Sequence, residues 1–349
     1  MTTTRISTYS MADSSRSQLM RQTTLVDRLK QEMSSQRHYD IGLELGARTG
    51  EAVTVRSEFD RLKGTIDTNA LLTSRLGVTQ AAMDDVLNSA QEMLKTLVAV
   101  RDANGARIGG QNMAQGNLKL LISRLNTESG GVYVFGGVNT GEAPLTDYFA
   151  QPASASKAAL DAAFLAEFGF SQSDPAAAGI SAADMNTFLD GAFQTMFDDP
   201  AWGNNWSSAT DELMKNTIAP GETVDTTVSA NEKAFRQLAS VYSMIGDLGA
   251  TGLNDLAYKA ILDKAISVLG DAVVGVTNAK GKLGLVEERV AETSERLKTQ
   301  ADILNKRVLT LEHIDPEETS VRLNTALTQL ETSYAVSARM QKLSILNYL

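Results

Sequence analysis

The chain has 349 residues, 43% hydrophobic and 21% charged, the make-up of a folded protein with room for two domains. Its net charge of −10 speaks against nucleic acid as a partner, and the absence of cysteine excludes disulfide staples and zinc–thiolate sites. No apolar run approaches the roughly 18–20 residues that span a bilayer, and the N-terminus carries no secretory signal, so no membrane partner is expected.

The chain starts polar: nine of residues 2–17 are Ser or Thr. A cysteine-free chain can be threaded unfolded from a reducing cytoplasm to an oxidising exterior, and a route that reads a disordered polar start is expected. From Ala12 the spacing becomes heptad-like, with Ser15, Leu19, Gln22, Val26, Leu29 and Met33 alternating three and four apart. Only Leu19, Val26, Leu29 and Met33 are large and apolar, and an isolated helix of this length is marginal in water. Residues 1–40 are therefore expected to be an assembly helix, disordered in a lone molecule and ordered when packed.

A second heptad run, Leu72, Leu76, Thr79, Met83, Val86, Ala90, Met93, Leu97 and Val100, predicts a second helix, with Gly105, Gly109 and Gly110 as its end. Beyond it, Gly130-Gly131 and Gly136-Gly137 bracket Val132-Tyr133-Val134-Phe135. No helix start with Lys and Ser/Thr follows, so this reads as a short strand between tight turns, not a phosphate-cradling loop.

The composition then changes. Five of the six prolines lie between Pro144 and Pro220, and half of the twenty aromatics between Tyr148 and Trp206. Residues 142–222 hold twelve acids against two lysines, a surplus equal to the net charge of the whole chain. Ala158–Phe168 and Ala182–Phe197 read as Ala-rich helices, and Pro220-Gly221 as the turn of a β-hairpin. The aromatics are expected to form the core here, and Asp198-Asp199 to be helix-end or loop residues.

After this insert Leu283, Val286, Val290, Thr293 and Leu297 keep heptad step. The phase slips by one residue, a stutter, and Ala301, Leu304, Val308 and Leu311 continue. A helix from about Tyr258 to Leu311 is predicted, with Gly270, Gly275, Gly281 and Gly284 weakening its first half. Asp315-Pro316 ends it: the residue before proline leaves helix geometry, and Glu317 and Glu318 suit a new first turn. Leu323, Leu327, Leu330 and Tyr334 then repeat the heptad.

The expected fold is mainly α: an elongated antiparallel, coiled-coil-like helical rod built from both flanks, with a small inserted α+β domain and short β-hairpins. Its parts are an assembly helix over 1–40, rod halves over 41–140 and 230–314, an inserted outer domain over 141–229, and a C-terminal assembly helix over 315–349. The candidate functional residues are the terminal seams: Leu19, Val26, Leu29 and Met33 with Leu323, Leu327, Leu330 and Tyr334.

A catalytic reading fails on inventory. The only histidines are His38 and His313, both read as solvated joint residues, and no serine-hydrolase, zinc-protease, P-loop or calcium-loop spacing occurs. No catalytic, cofactor or metal site is expected. Asn205-Trp206-Ser207 matches a glycosylation triplet, a weak signal.

At its two ends the chain resembles the flagellin superfamily, and within it the hook-associated junction proteins. The start "RISTYSMADSSRSQLMRQTTLVDRLKQEMSSQRHYD", the stretch "GGVYVFGGVNTGEAPL" and above all the ending "SVRLNTALTQLETSYAVSARMQKLSILNYL" carry the resemblance. It covers about residues 1–140 and 225–349. It fails at "MSSQRHYDIGLELGARTGEAV", which stands where the family has a different polar stretch, so the joint between the first two helices departs from the family pattern. The resemblance implies export through the flagellar type III apparatus with a chaperone. It also implies a ring of copies between the other junction protein and the first flagellin, with the terminal helices innermost and the insert outside. Filament flagellin, or a secreted coiled-coil effector or adhesin, stays open as an alternative.

Overall fold

The computed structural model describes residues 8–101, 107–248 and 252–343. In chain order its elements are α1 (Thr8–Ser35), α2 (Ile41–Leu45), α3 (Thr49–Val100), α4 (Arg107–Leu125), β1 (Glu128–Ser129), β2 (Val132–Tyr133), α5 (Ala155–Phe168), α6 (Ala182–Phe188), α7 (Ala201–Asn205), β3 (Lys215–Ala219), β4 (Glu222–Asp225), α8 (Lys233–Asp247), α9 (Asp255–Glu312) and α10 (Pro316–Leu343). The fold is mainly α, with long antiparallel helices and two small hairpins. Contacts divide it into two compact units: Met1–Gly64 with Leu297–Leu349, and Thr65–Arg296.

The second unit is held by the heptad stripes. Leu72, Leu76, Thr79, Met83, Val86, Ala90, Met93 and Leu97 of α3 are buried, as are Leu283, Val290 and Thr293 of α9. Within this unit Arg101 pairs with Asp263 at 2.6 Å, Asp84 with Lys280, and Asn69 donates to Ser294 at 3.2 Å. One residue number rises as the other falls, so the two helices run antiparallel. Asn254 caps α9 by accepting the Ala257 N–H at 2.9 Å.

Gly109 and Gly110 do not end the second helix. It stops at Val100, and both glycines lie inside the first turns of α4; Gly105 falls outside the described residues. The reason is tertiary packing. Helix α4 lies along α8, buried through Ala234–Gly246 except for the half-buried Arg236 and Gln237, and Gln111 and Gln115 both donate to the Gly246 carbonyl. In α9 the helix runs unbroken through its four glycines. At Gly275 the reason is visible: an added Cβ would sit 2.7 Å from that of Ala234, so glycine lets α8 and α9 approach.

The insert's aromatics form one row of ring contacts. It runs from Tyr148 stacked on Trp206 at 5.2 Å, through Trp202, Phe197, Phe193 and Phe188, to Phe164. These rings share a single apolar core with α3, α4, α8 and α9. Asn231 seals one side with its full hydrogen-bonding capacity. Its Oδ1 accepts from Trp202 Nε1 and Ser207 Oγ, and its Nδ2 donates to Ala209 O and Asp211 Oδ1.

Both hairpins form at the turn signals. Gly130 and Gly131, at φ +63 and +82, join β1 to β2 through a turn whose twist suits paired strands. Pro220-Gly221 joins β3 to β4, with an irregularity between Thr217 and Ala219. That hairpin is anchored by Asn69, donating to the Ile218 carbonyl at 2.9 Å, and by Glu222, which meets Arg289 at 2.8 Å and Arg296 at 2.9 Å. The two guanidinium groups, Arg289 first, hold the Glu222 carboxyl below the usual carboxylate range.

Burial pushes the hydroxyls of Tyr148 and Tyr242 far above their ordinary value, with the Asp247 carboxylate adding to the shift at Tyr148, where it accepts at 2.5 Å. An unfolded tyrosine ionises near pH 10 while these two stay protonated in the fold. Above that pH the unfolded chain holds fewer protons, so stability is constant below about pH 10 and falls as pH rises beyond it. A spectrophotometric titration will therefore find both phenols ionising only as helicity is lost.

Candidate functional site: the terminal helix pair

In the first unit, α1 and α10 pack antiparallel: one groove between them joins Ser15 to the level of Ser337, and another joins Leu29 to that of Arg322. Its apolar centre is small. Val26, Leu29 and Ala326 are buried together, with Leu323, Leu327 and Leu330 half-buried against them. Of the remaining seam candidates, Leu19 and Met33 are half-buried and Tyr334 is 54% exposed. The place opposite Val26 and Leu29 is taken by Ala326, which no pattern of large apolar residues marks. Elsewhere on the pair Met20, Val321 and Val336 stand in solvent.

Asp315-Pro316 is the joint that the residues announce. Proline sits at the first helical position of α10, and Asp315 caps it by accepting from Glu317 N at 2.9 Å and Glu318 N at 3.3 Å. The two chain reversals that lead into α10 and out of α1 are zipped together. Arg37 and His313 form an antiparallel bridge, His38 N donates to Glu312 O at 3.0 Å, and Ile314 N donates to Gln36 O at 3.3 Å. Gln36 adopts φ +56, an uncommon conformation for a residue with a side chain. His38 is half-buried and His313 exposed, and among the described residues no cluster of His, Asp and Glu has metal-holding geometry.

Beneath this bridge lies a charge that sequence reading missed. Glu312 is 2% exposed. Its carboxylate takes two hydrogen bonds from Arg56, one from Nε at 2.7 Å and one from Nη2, with Arg37 at 3.8 Å. The bond to Glu312 raises the Arg56 pKa above its ordinary value. Nearby Arg307 reaches Glu51 across the same helices, Nε at 3.0 Å, and lowers that carboxyl. Arg56 and Glu312 are 256 positions apart, so only co-variation in an alignment could have paired them.

Two family models match the chain, the bacterial flagellin N-terminal helical region over residues 6–140 and the bacterial flagellin C-terminal helical region over residues 266–349. The chain belongs to the flagellin family. Family membership makes it a structural subunit of the bacterial flagellum, an extracellular structure. Among the described residues no helix is long and apolar enough to cross a membrane. The fold is similar to that of a candidate flagellar hook-associated protein from Vibrio parahaemolyticus, at 12% identity and TM-score 0.51, over 75% of this chain and 96% of that one. Bacillus cereus FlgL is 12% identical with TM-score 0.48, over 74% of this chain and 98% of that one. No curated protein sequence matches the chain. In this flagellin-family protein the N-terminal match takes in α1, the C-terminal match α10, and the stretch between them falls in the second unit. The start before Thr8 and the tail 344–349, both part of the resemblance, lie outside the described residues.

Proposed function

We propose that this flagellin-family chain is the ring-forming subunit at the junction of hook and filament, and that α1 and α10 are the surfaces through which its copies assemble. The observation that carries the reading is the thinness of the α1–α10 core. Among the described side chains only Val26, Leu29 and Ala326 form its buried apolar centre, with Leu323, Leu327 and Leu330 half-buried against them, while Met20, Val321 and Tyr334 stay more than half exposed. Such a pair gains its remaining burial from neighbouring copies, and its ordering cost is met on docking, as in other segments that fold on binding. Both ends are then disordered in the free subunit, which ties growth to the tip and keeps free subunits apart. Its neighbours would be the other hook-associated junction protein on one side and flagellin on the other. Export would pass unfolded through the flagellar type III apparatus with a chaperone. The ending "LSILNYL" and the fold shared with the Vibrio parahaemolyticus protein support the junction role.

That both matching family models are those of flagellin favours a second reading, filament subunit. A strain lacking this gene separates the two. A junction subunit leaves secreted flagellin unattached in the medium; a filament subunit leaves the medium without the major flagellin. Limited proteolysis of the free subunit should trim residues 1–40 and 315–349 first, and ends as resistant as residues 70–310 would refute their disorder.

A further inference from the structure

The second unit carries a cleft of about 590 Å³, a volume in the range of small-molecule sites. It opens between the start of α4, the outer side of α5, the end of α8 and the loop 169–174. Its polar groups are held in place by the protein itself. Lys157 Nζ meets Asp161 Oδ1 at 2.5 Å and Asp247 Oδ2 at 2.9 Å. The buried Tyr148 donates to the same Asp247 oxygen at 2.5 Å. Gln172 Nε2 donates to Asp161 Oδ1 at 2.9 Å, which folds the loop back over α5, and Gln111 Nε2 donates to the Gly246 carbonyl at 3.2 Å. Burial works against the Lys157 ammonium, but its bonds to Asp161 and Asp247 outweigh that and raise its pKa.

Each of these bonds uses only part of its group. Asp161 Oδ2, Asp247 Oδ1 and the Oε1 atoms of Gln111 and Gln172 accept no hydrogen bond from a described residue. Lys157 has three N–H donors and spends two. Ser171 and Ser173 add hydroxyls 3.2 Å apart. A ligand built of hydroxyl groups matches this set, because each hydroxyl can donate to one of the oxygens and accept from an N–H or O–H. An anion would face two carboxylates, and an organic cation would compete with Lys157 for both of them. Among the described residues no group of acidic or histidine side chains has metal-holding geometry. At the edge of the cleft Leu165 stands 52% exposed beside Ala162 on α5. The C–H face of a sugar ring is an apolar surface that would take Leu165 out of water.

We propose that this cleft binds a neutral hexose unit, whose hydroxyls donate to Asp161, Asp247 and the two glutamines and accept from Lys157, with Leu165 against the ring. The unit is a free sugar or the end of a glycan chain, since both present the same hydroxyls. The site lies wholly in the second unit and holds whichever way the ends of the chain assemble. It gives a structural subunit a second task, contact with carbohydrate.

The test uses the full chain and the methyl glycosides of glucose, galactose, mannose and N-acetylglucosamine, with binding read by saturation-transfer NMR. At least one should bind with a Kd of about 1 mM, and methylamine and glucuronate should bind more weakly than it does. Gln172→Ala should weaken the bound glycoside about fivefold. Ala162→Trp fills the cleft from an exposed position on α5 without removing a hydrogen-bonding group, so it should abolish binding while heat denaturation stays that of the unaltered chain. A glycan array separates the two sources: retention of chains that end in the bound sugar assigns a glycan end, and binding of the glycoside alone assigns a free sugar. No glycoside bound at about ten times that Kd, methylamine or glucuronate bound more tightly than every glycoside, or a glycoside bound equally well by Ala162→Trp would each overturn the proposal.

Discussion

Leu29→Asp is expected to abolish incorporation into the flagellum while leaving the second unit folded. Leu29 is 3% exposed and is one of three residues that close the α1–α10 core, so the new carboxylate has no way to reach water without parting the helices. Burying that side chain contributes about 1.5–3 kcal/mol, and an unpaired charge in its place costs several more. A core of Val26, Leu29 and Ala326 cannot absorb such a loss. The core of Thr65–Arg296 includes none of these residues, so its heat denaturation should match that of the unaltered chain. In a strain carrying only this variant, flagellin should appear free in the medium. Filaments attached in normal number would show that the helix pair is not needed for assembly.

Arg56→Met should destabilise the first unit by about 3 kcal/mol, the lower end of the cost of stranding one partner of a buried ion pair, because Arg56 itself is partly exposed. Glu312 would keep only Arg37, at 3.8 Å, and the bridge above it shares the Glu312 carbonyl with His38. In assembled flagella, where α1 is ordered, the expected readout is faster hydrogen exchange at His38 and Ile314 and an earlier proteolytic cut between residues 36 and 40. Arg56→Met with Glu312→Leu removes both charges and should recover most of the loss, which a role confined to side-chain packing of Arg56 would not produce. Unchanged exchange in the single variant would dismiss the ion pair as a determinant of the joint.

Large apolar residues spaced every three or four positions are what sequence displays best. Leu72 through Leu97 and Leu283 through Leu311 therefore announced two long helices, and Asp315-Pro316 and Pro220-Gly221 announced a joint and a hairpin. Gly109 and Gly110 misled because a glycine's cost in a helix is local, whereas the contact of α4 with α8 that outweighs it is tertiary. Gly275 was read as a weakness, yet an added Cβ there would meet Ala234 of α8, so the glycine serves the packing of two helices. In the terminal pair the large seam residues were visible but their partner was not. Ala326 is too small to stand out, and the ion pair of Arg56 with Glu312 joins residues that share no local pattern. The groove could not be read at all, since it exists only between two helices whose register the sequence leaves open.

The aromatic row has a practical consequence for every experiment above. The chain has two tryptophans, Trp202 and Trp206, with ring centroids 5.5 Å apart inside the unit Thr65–Arg296. Intrinsic indole emission is therefore a private signal of that unit, blind to whatever the ends of the chain are doing. An emission spectrum that stays constant while far-ultraviolet ellipticity falls would separate the melting of α1 and α10 from loss of the rest, with no label attached.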